Sequence, residues 1–289
     1  MKNKNISIII PAYNEEGAIK SVVNSLINDF PDVELLVIND GSDDRTGELA
    51  EKAGARVIHH EYNLGYGSAL RTGILNSSND YVLFCDADGQ HRNQDVKKII
   101  ELAEEYDMVV GTRGSDSHVH RQRKVGKWIL KVFANYLAGC KIPDLNSGLR
   151  VMKKDILIQY LHLMPHGFSF STTSTFAFLK GNRRIYWEPI KVHERVGKST
   201  VRQLKHGPQT IMLMLKLTML FNPLKIFLTV TSLNFLMLIV SFIWDMSLNG
   251  GMGISDTTVL LTLSTVLIFL FGLLADQLAS LRREMHEKL

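Results

Sequence analysis

Two stretches near the end of this 289-residue chain restrict its fold more than any other feature. Ile226 to Trp244 and Thr257 to Ala275 each run for 19 residues without a charged side chain. As helices each would be about 28 Å long, close to the ~30 Å hydrocarbon thickness of a bilayer. One such segment also reads as the buried core helix of a soluble domain; two in succession read as a pair of membrane spans. Asn234 is the only strongly polar side chain in the first. The connection from Asp245 to Asp256 has no Lys or Arg, whereas Lys205, Lys216, Lys225, Arg282, Arg283 and Lys288 lie beyond the other ends of the spans. The positive-inside rule then predicts a multi-pass protein of the cell membrane with both termini cytoplasmic.

Up to about Arg202 the chain mixes charged and apolar residues as a soluble α/β protein does, and after Pro223 it changes character. Its start, MKNKNISIIIPAYNEE, has too short an apolar run for a signal peptide, so the globular part is expected on the cytosolic side. The net charge of +4 is modest and concentrated near the spans. It suits anionic lipid headgroups and gives no case for a nucleic-acid partner. Cys85 and Cys140 have no metal-ligand spacing and read as plain core residues.

Strand and helix patterns alternate through the first half. Strands are expected at Ile6 to Pro11, Val33 to Asn39, Arg56 to His59, Tyr81 to Cys85 and Met108 to Gly111. Helices are expected from Ala18 to Phe30 and near Arg45 to Ala53, Gly67 to Asn76 and Asp95 to Glu105. This is the signature of an α/β fold: a mostly parallel sheet with helices on both faces. Beyond Gly111 the pattern becomes irregular, with a basic helix over Arg121 to Leu137 carrying Val125, Ile129, Val132 and Tyr136 on one stripe. The expected divisions are a globular domain at 1–202, a Met- and Leu-rich segment at 203–223 and a two-helix anchor at 224–289. The middle segment reads either as an ordinary packed helix or as an amphipathic helix in the membrane interface.

Sheets of this kind bind ligands outside the carboxyl ends of their strands. Tyr13-Asn14-Glu15, Asp40, and the pair Asp86 and Asp88 all fall at such ends. Two carboxylates two residues apart can hold one Mg²⁺ or Mn²⁺ through oxygen, and that ion can grip a nucleotide diphosphate. Alone, the pair would read as a solvated acidic turn. Its neighbours carry the stronger reading.

Five motifs occur in order: PAYNE at 11–15, VINDGSDDRT at 37–46, NLGYGSALRTG at 63–73, DADGQH at 86–91 and NSGLR at 146–150. Together they resemble glycosyltransferase family 2, over roughly residues 5 to 200. Within it the chain looks most like the polyprenyl-phosphate branch of dolichol-phosphate mannose synthases and bacterial polyprenyl-phosphate glucosyltransferases, the latter sharing paired C-terminal spans. The resemblance implies the nucleotide-sugar-binding, GT-A type of fold, with Pro11, Tyr13 and Glu15 lining a nucleoside pocket and Asp40 bonding the base. It implies that Asp86 faces the diphosphate and that Asp86, Asp88 and Gln90 hold the metal, with Asp88 catalytic. Asn39 stands where many members carry a second Asp, which leaves the base open. His91 reads equally as a structural donor or a ligand. Gly65, Gly67 and Gly73 read as close-packing positions, and Asp44 as a turn or helix cap.

A sugar hydroxyl acceptor would require a general base. From Ile156 to Trp187 there is no Asp or Glu, and no Q-x-x-R-W motif occurs. A lipid phosphate needs no base, since its second pKa is near 6, but it does need cations. Arg113, Arg121, Arg123, Arg150, Arg195 and Lys198 are the candidates, with Arg123 and Arg195 set closest to the reaction. Any one of them also reads as a solvated surface residue, and RVGKS at 195–199 departs from the family's usual order, in which Lys follows Ser.

The expectation is therefore an inverting transferase that moves one sugar, of glucose or mannose type, from a nucleotide diphosphate sugar to a polyprenyl phosphate at the cytoplasmic membrane face. Two alternatives stand beside it. One is a sister enzyme acting on a diacylglycerol or a growing glycan; the other is a non-catalytic anchor subunit. The exposed spans also permit a homo-oligomer.

Overall fold

The strand ISIIIPA, β1 (Ile6–Ala12), is buried along its whole length. Its β-branched residues alternate between two faces, and each face has its own core. Ile6, Ile8 and Ile10 pack under α1 (Ile19–Asp29), α2 (Thr46–Lys52) and α4 (Asn93–Leu102). Ile9 packs on the other side under α3 (Tyr66–Asn76), with Ala69, Leu70 and Ile74. A parallel sheet covered on both faces follows directly from such a strand. The structure is a computed structural model. It describes residues 5–113, 124–167, 169–193, 211–212, 214–216, 218–248 and 253–287, without the side chains of 124–130 and 283–287. The chain divides into two units, Met1–Met214 and Leu215–Leu289.

In the first unit β1 pairs in parallel with β2 (Glu34–Asn39) and β4 (Tyr81–Phe84), and β2 with β3 (Arg56–His59). The other half contains β5 (Met108–Arg113), β6 (Arg150–Lys153) and β7 (Ile185–Ile190). β6 runs antiparallel between β4 and β5, and β7 lies parallel outside β5. The order is β3-β2-β1-β4-β6-β5-β7. The expected strands and helices of the first half all form, with ends shifted by a few residues. β6 was not expected, nor was α7 (Phe170–Lys180), which follows α5 (Lys124–Ala138) and α6 (Lys154–Tyr160). α7 is FSTTSTFAFLK, and its Ser and Thr side chains are buried against the sheet.

The second unit contains two long helices, α8 (Pro223–Leu248) and α9 (Asp256–Glu287). Both are long and apolar enough to cross a membrane, over Pro223–Ser247 and Asp256–Arg282. They meet along a seam of small and polar residues. Gly272 lies against Phe227, where an added Cβ would fall 2.6 Å from that residue's own Cβ. Asn234 Oδ1 is 3.3 Å from Ser264 Oγ and 3.2 Å from Thr265 Oγ1. Asp245 Oδ2 accepts hydrogen bonds from the Ser255 amide at 2.9 Å and the Thr258 hydroxyl at 2.7 Å, closing the connection.

Candidate active site

The chain leaves β4 through Cys85, whose amide still bonds to Ile9 O at 3.1 Å, and then turns at Asp86. Three groups hold that carboxylate. The Tyr66 hydroxyl donates to Oδ1 at 3.1 Å, and His91 Nε2 lies 3.3 Å from Oδ2. Gly148 presses from the third side, where a Cβ would come within 2.2 Å of Oδ2. Desolvation pushes the Asp86 pKa up, but the His91 and Tyr66 bonds and the nearby Arg113 charge outweigh it and hold it below the ordinary carboxylate value. His91 Nδ1 is buried without a partner among the described residues. Asp88 is 6% exposed and accepts the Gln90 amide at 3.1 Å. Gln90 also turns its side-chain nitrogen to His193 O at 3.3 Å. A short bridge between His91 and Val192 fastens this loop to the end of β7.

The other end of the site is built by the loops after β1 and β2. Asn14 takes a left-handed conformation (φ 55°), which Asn tolerates, and its side chain accepts the Asp43 amide at 2.9 Å. The Glu15 amide donates to Thr46 Oγ1, and the Glu16 amide to Asp44 Oδ2. Asp44 thus has the turn-organising role expected of it. Pro11 is buried at the end of β1, while Tyr13 and Glu15 are half-buried in the loop beyond. The structure places Asp40 beneath the surface. Its Oδ1 accepts the Leu64 amide at 2.9 Å and meets His60 Nδ1 at 2.7 Å; its Oδ2 accepts the Gly65 amide at 2.9 Å. In this geometry Asp40 anchors the 62–65 loop.

Arg113 at the end of β5 donates from Nε and Nη2 to both oxygens of Asp144, at 2.8 and 3.1 Å. That bond, with Asp86 and Asp88 adding their charge, raises the Arg113 pKa despite partial burial. Desolvation works against ionisation of Asp144, but Arg113 prevails and its pKa is lowered. An acid held in this way is a poor general base. Arg150 corrects an expectation. It is 0% exposed, and its guanidinium donates to the carbonyls of Ser147 and Ser171 and to the hydroxyls of Ser174 and Thr175. Burial pushes its pKa down to about 10, so it stays charged at neutral pH. It braces the 144–150 turn against α7 and has no surface to offer a phosphate. Arg121, Arg123, Arg195 and Lys198 lie outside the described residues.

Of the two readings of His91, the structure shows the donor to Asp86. Two site residues escape the sequence reading. Tyr66 stands in it only as part of a glycine-rich motif. Asp144, two residues before the NSGLR motif, lies upstream of the acid-free stretch and was passed over. The glycines behave as expected: Gly73 packs on Ile9, and Gly67 on the carbonyls of Pro165 and Gly167.

A divalent cation fits the donor set. Two carboxylates stand on one loop, and the charges of both reach Arg113. Among the described residues no third His, Cys, Asp or Glu joins them, so the rest of a coordination shell would come from a ligand's oxygens and from Gln90.

Comparison with known proteins agrees with this geometry. Residues 7–161 match Glycosyl transferase family 2, and residues 222–281 match the GtrB C-terminal hairpin. A Methanocaldococcus jannaschii protein, MJ1222, is 35% identical over 154 residues, covering 50% of this chain and 63% of that one. An undecaprenyl-phosphate mannosyltransferase of Micrococcus luteus is 28% identical over 201 residues, 65% of this chain and 83% of its own. Among solved structures, glucosyl-3-phosphoglycerate synthase of Mycobacterium tuberculosis, in complex with Mn²⁺, UDP and phosphoglyceric acid, superposes with a TM-score of 0.62 at 22% identity. It covers 74% of this chain and 78% of that one. The last likeness shows the fold, which is of the GT-A type.

Proposed function

The chain belongs to glycosyltransferase family 2, and we propose that it moves one sugar from a nucleotide diphosphate sugar to a polyprenyl phosphate, with inversion, at the cytoplasmic face of the membrane. The observation that carries this reading is the Arg113 site. A fixed guanidinium stands beside two site carboxylates, and the acid next to it is tied up as its ion-pair partner. Such a site suits an acceptor that arrives already ionised. The hairpin match and the Micrococcus relative favour a lipid as the carrier of that phosphate. The same features weigh against the sister enzyme with a neutral hydroxyl acceptor, and the retained acids weigh against an idle anchor subunit.

In this reading Pro11, Tyr13 and Glu15 frame the nucleoside, and Asp40 keeps the 62–65 loop in register beneath it. Asp86, Asp88 and Gln90 face the diphosphate. They would hold Mg²⁺ or Mn²⁺, whose charge would offset that of the departing diphosphate. Arg113 receives phosphate oxygens with the donors that Asp144 leaves free, and Arg121, Arg123, Arg195 and Lys198 are the further candidates for that clamp. An oxygen of the lipid phosphate attacks the anomeric carbon from the face opposite the leaving group. The carbon–oxygen bond to the diphosphate breaks, and the nucleoside diphosphate leaves with the electron pair. Positioning and preorganised charge supply most of the acceleration. Both termini stay cytoplasmic.

The test uses the full-length protein in detergent, a panel of UDP- and GDP-sugars, and polyprenyl phosphate. Transfer should require Mg²⁺ or Mn²⁺ and stop in chelator. Asp88→Asn should lose at least about a hundredfold in rate, as expected for removing a charged group from the reacting centre. Efficient transfer to the polyprenol without its phosphate would overturn the acceptor assignment, and full activity in chelator would overturn the metal.

A further inference from the structure

We infer that Tyr66 is a positioning residue: its hydroxyl sets the carboxylate of Asp86 and ties the nucleoside end of the site to the metal end. The inference rests on the metal reading above and deepens it. Tyr66 is the first residue of α3, and its O–H donates to Asp86 Oδ1 at 3.1 Å. The two residues before it, Leu64 and Gly65, give their amides to Asp40 at 2.9 Å each. Three consecutive residues therefore run from one site carboxylate to the other.

This segment has little freedom to move. The Ser68 amide donates to His166 O at 3.1 Å, and Ser68 Oγ lies 2.9 Å from His166 Nδ1. A Cβ at Gly67 would come within 2.0 Å of Pro165 O, so the 165–167 backbone lies directly on the start of α3. Tyr66 is thus a fixed post against which Asp86 rests, with His91 and Gly148 closing the other sides. A carboxylate oriented this way meets a cation in one geometry. Released from Tyr66, it would have to be ordered when the ion binds, and affinity would fall.

The experiment measures Mn²⁺ uptake by full-length protein in detergent, from the loss of the aqueous Mn²⁺ electron paramagnetic resonance signal, with saturating UDP and separately with GDP. Tyr66→Phe should weaken Mn²⁺ binding about tenfold, the effect of one hydrogen bond to a charged group. Metal-free nucleotide binding and the melting temperature should stay at wild-type values, and excess Mn²⁺ should restore turnover. His91→Leu removes the donor on the other oxygen and should show a similar loss, recovered in His91→Gln, which returns an N–H near the same place. Wild-type uptake with neither nucleotide would overturn the metal reading and this inference with it. Equal uptake by wild type, Tyr66→Phe and His91→Leu would overturn the inference alone. A loss of Mn²⁺ affinity that excess metal does not rescue, with a lowered melting temperature, would assign Tyr66 to the fold and overturn it as well.

Discussion

The two units bury opposite kinds of residue. In the sheet unit the interior is mainly Ile, Val, Leu and Phe, with the Ser and Thr of α7 around Arg150 as its polar pocket, and charged side chains lie mostly outside or at the site. In the hairpin the seam between α8 and α9 is built from Thr, Asn, Ser, Asp and Gly, while Leu233, Phe235, Leu236, Trp244 and Leu260 stand outward. Water makes apolar burial the driving force in the first case. In lipid, outward Leu loses nothing, and helices are held by close approach and by hydrogen bonds that the solvent cannot offer. Each unit is folded for a different solvent.

The largest test of this contrast compares one residue type in both settings. Phe84 is 1% exposed and meets Phe170 edge-on at 5.7 Å, whereas Phe235 is 52% exposed. Phe84→Ala should cost about 3–5 kcal/mol, and Phe235→Ala no more than about 0.5 kcal/mol. Thermal unfolding in detergent reads both, and equal losses would break the comparison. Next is Gly272→Leu, which drives a side chain into Phe227 and should cost about 1–3 kcal/mol. Spin labels at positions 233 and 267 should report the helices moving apart; an unchanged distance would mean that the close approach is dispensable.

A smaller effect belongs to the sheet unit. The folded-state pKa of Asp144 lies below its ordinary 3.8, so the unfolded chain takes up that proton first as pH falls. Its contribution is complete above that value and is lost as pH drops through the folded one. Arg113 is 40% exposed, so solvent screening keeps the contribution below about 1 kcal/mol. Asp144→Asn should flatten the acid side of the stability curve between about pH 5 and pH 3; an unchanged slope would show that the pair adds nothing. The smallest is Asn234→Leu, expected to weaken the hairpin by about 0.6 kcal/mol, the average worth of a membrane hydrogen bond. A stabilised hairpin would show that this part of the seam needs no polar contact.

The sequence was most legible where one force dominates. Apolar runs such as Ile6 to Pro11 and Tyr81 to Cys85 identify buried strands, and the uncharged stretches identify the long helices. β6 was hidden because RVMK has two cationic residues in four and no alternation, yet Arg150 is buried through hydrogen bonds that only the fold supplies. α7 was hidden for the same reason, since STTST reads as a loop until its hydroxyls find carbonyls one turn back and the Arg150 guanidinium. At the site, the acid pair was readable because both residues sit on one loop. The Tyr66 and Gly148 contacts to Asp86 join segments far apart in sequence, and no local pattern announces them.

The placement of β6 also sets a schedule for synthesis. β4 and β5 are both complete long before Arg150, but neither can finish its pairing until β6 enters between them. At about 5–20 residues per second, the interval from Phe84 to Arg150 lasts roughly 3–13 s. A β3-β2-β1-β4 half-sheet formed in that time would have its β4 edge bare, a template for wrong partners. The strand that closes this edge is the same one that brings in Arg150 and the Gly148 contact to Asp86. β5 keeps its outer edge until β7 follows, and only then can Val192 and His193 fasten the acidic loop.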